Sequence, residues 1–455
     1  MRTDDLPETM LAPLLELARA LLEHARSHRD QPLARHEQAV LEAWRAAAPA
    51  VLAATVQQAT TGLDPTQRPV SARCAGCAQR RPVQSRRRRQ VQTQLGPITV
   101  ERPWHHCAAC GHGWSPSDQA LRLQPSQRTS TGLAAWAARV GALTTFREAA
   151  ALLADLAGVD LGAETVRTHA ERLGATLELD QRATTAYVQQ HHEPPPGSAA
   201  PAPGTLLVEA DGVMVRYRDS PPAEAWHEVK LGLVAGWQDG QLHAPSYVAA
   251  REPARRCAER LVGEAARRGA LEVVGWDGAA LDGGGHQALL RPVVIVGDGA
   301  KWIWDEVAAS FGSERTEIVD WYHASEHLGT LAAALWGDGT AATTQWRDHA
   351  KHLLWRHGPP PLLELLTQAL PPTPAVAQVL HRERGYFRTN AHRMQYPTFR
   401  RQGLPCGSGA VESGAKHLVQ LRMKRPGQRW SCPGAQAILA LRAHLLSNRP
   451  LPIVA

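Results

Sequence analysis

Apolar positions in the second half of the chain fall in short runs typical of strands, alternating with one longer helical pattern. These runs predict strands at 205–218, 228–237, 243–250 and 292–297, with a helix near 253–269 between the third and the fourth. A helix over 301–311 and a strand over 316–323 follow, so this part of the chain is expected to be an α/β domain. Residues 325–400 lack strand patterning and are expected to be a helical insertion.

Helical spacing dominates the first half of the chain. Leucines at this spacing within residues 6–57 predict amphipathic helices for packing or self-association, and 131–180 again favours helices. FREAAALLADLAG and GAETVRTHAERLG, joined across residues 159–162, resemble a helix-turn-helix that would offer Arg167 and Arg172 to a DNA groove. A plain helical hairpin without a DNA contact is the alternative.

Composition changes along the chain indicate five regions. A Pro/Ala/Gly segment at 193–204 predicts a stiff linker between a recognition half and a catalytic half. The predicted regions are an N-terminal helical region (1–70), a cysteine-containing region (71–120), the helical DNA-binding region (121–192), the linker (193–204) and the α/β domain with its insertion (205–455).

The charge of the chain favours an anionic partner. Its formal net charge is +7 and its isoelectric point is near 9.2, and residues 381–430 hold 11 Lys and Arg against 2 Asp and Glu. A basic, solvated surface is the alternative explanation. No uncharged run of about 18 apolar residues occurs and no signal peptide is recognisable, so the expected location is the cytoplasm, with no membrane partner.

Two CxxC pairs predict a structural zinc site. Cys74 and Cys77 are separated by 29 residues from Cys107 and Cys110, and the intervening sequence reads as a hairpin with a turn at Gly96-Pro97. Four thiolates at the base of a hairpin form a zinc ribbon. Its arginines, Arg86, Arg87, Arg88 and Arg89, are expected to contact nucleic acid, and a purely architectural ribbon is the rival interpretation. His105, His106 or His112 replacing a cysteine is the less favoured ligand set.

Three acidic residues suggest a second metal site. Asp211 and Asp298 lie in or just after predicted strands, and Glu412 begins a helical segment. Carboxylates converging on Mg²⁺ or Mn²⁺ are typical of enzymes that cleave or transfer phosphodiesters. Ordinary Asp-Gly turns are the alternative for the two aspartates, and Glu209 is the chief rival ligand. Asp277 and Asp282 are interpreted as loop residues.

Several longer phrases carry a family resemblance. GDGAKWIW, VDWYHASEHL, RMQYPTFRRQGLPCGSGAVESGAKHLVQLRMKRPGQRW and AILALRAHLL resemble the bacterial insertion-sequence transposases of the ISKra type, over about residues 70–445. The resemblance implies a DDE transposase with a ribonuclease-H-like core, which the predicted order of strands and helices also matches. It further implies Asp211, Asp298 and Glu412 as the triad, with Asp320 and His323 as an Asp-x-x-His element.

A DNA transposase is therefore the expected function. Water activated by Mg²⁺ would nick the ends of the element, and the freed 3′-OH would attack target DNA. Double-stranded DNA and other copies of the chain are the expected partners. Near Glu412 the residues expected to contact DNA are Lys416, Arg422, Lys424, Arg425, Arg429 and Trp430, the last by stacking on a base. A ribonuclease-H-like nuclease or resolvase without joining activity, and a transposase-derived DNA-binding regulator, are the alternatives.

Overall fold

The computed structural model describes residues 8–60, 71–198, 203–269, 271–272, 288–289, 292–312 and 315–452. The chain forms two compact units, built mainly from Met1–Ala170 and from Glu171–Pro450. Asp277, Asp282 and part of the predicted linker at 193–204 lie outside the described residues.

The first unit combines helices with a small antiparallel hairpin. Its helices are α1 (Glu8–Ser27), α2 (Leu33–Ala59), α3 (Pro116–Ala120), α4 (Thr131–Leu143), α5 (Phe146–Ala157) and the start of α6 (Ala163–His191). Its strands are β1 (Ala72–Arg73), β2 (Arg80–Arg81), β3 (Ser85–Thr93), β4 (Gly96–His106) and β5 (Gly113–Trp114). The β3–β4 hairpin turns between Thr93 and Gly96, where Gly96 has φ of +102°. Glycine adopts this left-handed backbone at low cost, so the Gly-Pro turn formed where the sequence indicates it.

Helix α2 is the only helix among the described ranges with the length and mean hydropathy of a membrane span, and little of it is buried. It pairs with α1, and its later turns pack on the hairpin. The apolar contact there joins three residues of α2 to the buried face of the hairpin: Leu52, Ala53 and Val56 against Val91, Ile98 and Val100. Part of the apolar surface of α2 is therefore used within the fold.

Helices α5 and α6 form where the helix-turn-helix was expected. A capping box of Thr145 and Glu148 starts α5, and Gly158, with φ of +68°, ends it. The side chains that hold α4, α5 and the beginning of α6 together are buried and apolar: Leu133, Ala137, Ala149, Leu153, Val159, Leu161 and Val166.

The second unit contains a five-stranded mixed sheet. Its strands are β6 (Thr205–Arg216), β7 (Trp226–Gln238), β8 (Gln241–Ala250), β11 (Val293–Gly297) and β12 (Arg315–Val319), in the order β12-β11-β6-β7-β8. β6, β7 and β8 are antiparallel, whereas β11 runs parallel to both β6 and β12. Two short strands, β9 (Leu271–Glu272) and β10 (Ala288–Leu289), pair separately.

Helices cover both faces of this sheet. They are α7 (Ala254–Arg267), α8 (Trp321–Trp336), α9 (Ala341–His357), α10 (Pro359–Gln368), α11 (Pro374–Thr389), α12 (Tyr396–Arg401), α13 (Gly409–Gly414), α14 (Leu421–Met423) and α15 (Cys432–Leu446). Successive residues of a strand point to opposite faces. Gly232 of β7 lies against Leu261 of α7, whereas Leu231 lies beside Gly414 of α13, so the two helices pack on opposite sides.

Gly232 and Gly414 each permit a close approach. A Cβ at Gly232 would come within 2.4 Å of Leu261, and one at Gly414 within 2.7 Å of the Tyr247 ring. Only glycine therefore allows α7 and α13 to sit this near the sheet.

Five helices, α8 to α12, separate β12 from α13 and occupy the stretch where a helical insertion was predicted. An aromatic cluster joins them, in which Trp321 lies 4.5 Å from Trp355 and 5.2 Å from Tyr396 between ring centroids. The Tyr396 hydroxyl donates to the Val319 carbonyl oxygen at 2.9 Å. This contact ties the helical segment to the end of β12.

The strands predicted at 205–218, 228–237, 243–250 and 292–297 and the helix at 253–269 are confirmed to within two residues at each end. The strand predicted over 316–323 is wrong beyond Val319, because Asp320 caps a helix that starts at Trp321. The segment over 301–311 is helical, with a π-helix at Ile303–Val307 and a 3₁₀ turn at Ala308–Phe311.

Candidate functional site

The four cysteines of the two CxxC pairs converge. Their sulfur atoms all lie within 4.8 Å of one another, with 3.5 Å between Cys74 and Cys110 and 3.4 Å between Cys77 and Cys107. A tetrahedron of 2.3 Å zinc–sulfur bonds has sulfurs about 3.8 Å apart. The group therefore fits a metal ion such as zinc, and it is the only such group among the described residues.

Two turns aim the cysteines inward. The backbone N–H of Ala78 donates to the carbonyl oxygen of Cys74, and that of Gly111 to Cys107, both at 2.8 Å. A hydrogen bond from Arg81 lowers the pKa of Cys107 to about 6, which favours the thiolate that a metal needs.

The ribbon histidines have other roles. His105 is buried, its Nδ1 lies 3.0 Å from the carbonyl oxygen of Arg81, and its ring stacks on Trp114. His112 also stacks on Trp114. The His105 ring is therefore buried and the exposed His112 ring is stacked on Trp114, consistent with the preferred four-cysteine ligand set.

Asp211 and Asp298 come from neighbouring parallel strands of the sheet. Val296 of β11 is paired with Glu209 of β6, and each aspartate lies two residues beyond this pair along its own strand. The parallel register therefore places Asp298, just after β11, beside Asp211 within β6. Each accepts a local backbone hydrogen bond: Asp211 Oδ1 from Gly212 at 2.7 Å and Asp298 Oδ1 from Ala300 at 2.8 Å.

Asp211 interacts electrostatically with the other two predicted acids. Burial, and then the charges of Asp298, Glu412 and Glu228, raise the pKa of Asp211 to about 6. Like charges this close destabilise each other, and a divalent cation relieves the repulsion. Carboxylate oxygens are the hard ligands that Mg²⁺ prefers, so Asp211, Asp298 and Glu412 have the chemistry to hold it.

Glu412 lies on α13, where its carboxylate is exposed. The Ser408 hydroxyl approaches Glu412 Oε1 at 3.2 Å. A π-helix at Ala415–Gln420 follows directly, and such helices are frequent at functional sites. Lys416, one turn after Glu412, is exposed.

Glu209, the rival ligand, is buried beneath the site. Its Oε2 accepts from the backbone N–H of Val411 at 2.7 Å, so it anchors the start of α13 to β6. Burial, with the charges of Asp320 and Glu412, raises the pKa of Glu209 to about 8. This carboxyl therefore holds the helix that carries Glu412.

Asp320 is buried and accepts hydrogen bonds from two segments of the chain. It caps α8 by accepting from the backbone N–H of Tyr322 at 2.5 Å and of His323 at 3.0 Å. Its second oxygen accepts from Ser408, by the backbone N–H at 2.5 Å and also by the hydroxyl. Asp320 thus links the end of β12 to the segment that leads to Glu412. His323 is half-buried one turn into α8.

The basic residues expected to contact DNA differ in exposure. Exposed side chains are those of Arg86, Arg87, Arg88, Arg172, Lys416, Lys424 and Arg429. Arg167 and Arg425 are partly buried, and Arg167 pairs with Glu164. All of these side chains are open to solvent at least in part, although Arg88 also pairs with Glu101.

Three of the expected DNA contacts are buried. Arg89 pairs with Asp118 at 3.1 Å beneath the ribbon. Arg422 is 1% exposed and lies over the ring of Trp430, which is 6% exposed and donates its indole N–H to the Met423 carbonyl oxygen. Neither base stacking by Trp430 nor phosphate contacts by Arg89 and Arg422 fit these positions.

Sequence reasoning missed the residues that support the acids. Ser408 and Tyr386 contact Asp320 and the Asp298 loop from distant positions in the chain. The phrase VDWYHASEHL does contain a further signal, because His327 repeats the helical spacing of His323.

No protein-family profile matches this chain, and no curated protein is significantly similar to it.

Proposed function

We propose that the chain is a DDE transposase of an insertion sequence, which binds terminal inverted repeats and catalyses DNA cleavage and strand transfer. The observation that carries the proposal is the placement of Asp211 and Asp298 on neighbouring parallel strands, where the charges of Asp298 and Glu412 both raise the pKa of Asp211. Carboxyl groups with pKa values perturbed by burial and by like charges cluster at functional sites.

The sheet supports a ribonuclease-H-like core. Three antiparallel strands are followed by two that run parallel to the first, in the order expected from the sequence. The first acid lies on the first strand and the second directly after the fourth. Helix α13 adds the third acid from above the sheet, which matches the expected division of the triad.

The chemistry follows from the donor set. Asp211, Asp298 and Glu412 would hold divalent ions, which would activate the nucleophile and neutralise the leaving oxygen. In cleavage, water attacks the phosphorus and the 3′-oxygen leaves, producing a 3′-OH and a 5′-phosphate. In strand transfer that 3′-OH attacks a target phosphodiester, so one P–O bond forms as another breaks and no energy source is consumed.

DNA recognition is assigned to the basic elements. The four-cysteine ribbon exposes Arg86, Arg87 and Arg88 along β3, and Arg87 lies 4.1 Å above the Trp104 ring. The helix pair α5–α6 exposes Arg172. Exposed guanidinium groups on a strand and a helix suit the phosphate backbone of duplex DNA.

The decisive experiment is an assay on labelled DNA carrying the inverted repeats that flank the coding region. Wild type with Mg²⁺ is expected to give cleaved and joined products, Asp298→Ala to give neither, and Asp348→Ala, an exposed aspartate of α9, to behave as wild type. Cleavage without joining would favour a nuclease or resolvase. Specific binding without cleavage would favour a DNA-binding regulator.

A further inference from the structure

A group of polar side chains from α8 and α11 adjoins the Asp298 loop. His327 of α8 lies two turns after the capping residue Asp320, on the same face as His323. Glu383 and Tyr386 of α11 are one turn apart and meet this face. Contacts between α8 and α11 therefore involve four polar side chains: His323, His327, Glu383 and Tyr386.

Glu383 fixes the His327 ring. The Glu383 side chain is 1% exposed, and its Oε2 lies 2.5 Å from His327 Nδ1 while its Oε1 lies 2.8 Å from Arg382 Nε. Burial opposes ionisation, yet hydrogen bonds from His327 and Arg382 outweigh it and lower the pKa of Glu383. The carboxylate is thus an acceptor, so Nδ1 of His327 carries the proton.

The orientation leaves the other ring nitrogen for a ligand. Among the residues that the structure describes, His327 Nε2 has no hydrogen-bond partner. The His327 side chain is 27% exposed, so solvent or a ligand can reach it. The His323 ring lies edge-on to His327 with centroids 5.0 Å apart.

Tyr386 connects this histidine to the acids. Its ring stacks on His327 with centroids 3.8 Å apart, and its hydroxyl donates to the carbonyl oxygen of Asp298 at 3.3 Å. Gly299, with φ of +98°, lies against the same ring, where a Cβ would come within 3.0 Å. The imidazole is therefore one aromatic ring away from the loop that holds the second acid.

We propose that His327, oriented by Glu383 and Tyr386, is a phosphate-binding residue beside the carboxylates, and that its ligand is a phosphate group of a nucleic acid chain. The proposal rests on the proposed function for the nature of the substrate. Clustered carboxylates repel a phosphodiester. The cationic ring of His327, with a proton on each nitrogen, donates Nδ1–H to Glu383 and Nε2–H to the phosphate, which offsets part of this repulsion. Burying a carboxylate to hold a partly exposed imidazole adds little stability, which favours a binding role.

The test follows the imidazole signals by NMR in histidine-labelled protein. Inorganic phosphate is titrated with Mg²⁺ present, His327→Gln assigns the ring, and His352, exposed on α9, is the internal reference. We expect a saturable shift of the His327 signals and no shift of those of His352. Glu383→Gln and Tyr386→Phe are expected to weaken phosphate binding about 10-fold, the usual cost of removing an orienting partner. A His327 signal that does not move, or that moves only as His352 does, would overturn the inference.

Kinetics separate this inference from the proposed function. His327→Gln keeps an amide that can donate to Glu383, so the variant tests the lost imidazole rather than a lost fold. We expect it to lower kcat for DNA cleavage about 10-fold or more with unchanged DNA affinity, whereas His352→Gln matches wild type. If wild type does not cleave, the proposed function fails and the phosphate titration still decides the role of His327. Cleavage with an unmoved His327 signal leaves the proposed function standing and removes this inference.

Discussion

The two candidate metal sites are assembled in opposite ways. The cysteine ligands come from two turns at the base of one hairpin, within 37 residues of chain, and they lie within 4.8 Å of one another. The carboxylates come from three segments spread over more than 200 residues and sit on a sheet and a helix that apolar packing already holds. The ribbon has few buried apolar residues of its own around its cysteines.

This difference indicates which of the two sites needs a metal ion in order to fold. At the cysteines, a metal would replace the missing core, as in small zinc modules generally. At the carboxylates, the fold is stable first and brings like charges together at a cost, so a metal there would serve chemistry.

Removing metal from the ribbon is expected to have the largest effect. Chelation, or Cys107→Ser, should abolish amide-exchange protection in β3 and β4, because structural zinc contributes about 10 kcal/mol or more to such modules. Cys432→Ser, which changes an exposed cysteine of the other unit, is the control. Unchanged protection in β3 and β4 after metal removal would contradict the structural role.

Replacing Asp211 with the uncharged asparagine should lower activity and raise stability. Asp211→Asn is expected to lower DNA cleavage more than about 100-fold, exceeding the loss typical of outer-shell changes at metal sites. The same change should raise the free energy of unfolding at pH 7 by roughly 1 kcal/mol, since repulsion from Asp298 and Glu412 is relieved. Urea unfolding without metal measures the second effect, and a destabilised variant would show that the carboxylates do not repel.

Removing the hydrogen bond between Ser408 and Asp320, beneath the acids, should lower activity less than Asp211→Asn does. Ser408→Ala removes the hydroxyl that donates to Asp320 and is expected to lower the free energy of unfolding by about 1 kcal/mol, because the buried carboxylate loses one donor and keeps the Ser408 backbone N–H. Thr367→Ala removes a hydroxyl that donates to Leu363 on an exposed helix face and serves as control. Equal decreases in the free energy of unfolding for Ser408→Ala and Thr367→Ala would contradict a stabilising role of the Asp320 contact.

The buried carboxyl of Glu209 should make stability depend on pH. The pKa of Glu209 rises from 4.5 when unfolded to about 8 when folded, so the folded state holds a proton that the unfolded state loses. The contribution of Glu209 to the free energy of unfolding is therefore greatest near pH 4 and declines as pH rises toward 8. Glu209→Gln keeps the acceptor for Val411 and should flatten this decline in metal-free thermal unfolding. A slope equal to that of wild type would contradict the assignment.

Much of the architecture was predictable from the sequence, because its signals are local. Strand and helix periodicity located the sheet strands, and CxxC spacing with a Gly-Pro turn located the four-cysteine group. Asp211 and Asp298 were identified because each lies in or just after an apolar run, which also places them at a sheet edge. These features depend on residues close to one another along the chain.

Only the tertiary structure determined which polar and charged side chains are buried. Arg89, Arg422 and Trp430 belong to basic stretches that favour a surface, yet packing buries all three. Glu209 contacts Val411 across 202 residues of chain, a pairing that no local pattern reports. Burial and long-range contacts depend on how whole elements pack, so the roles of the supporting residues emerge only when the sheet and helices are assembled.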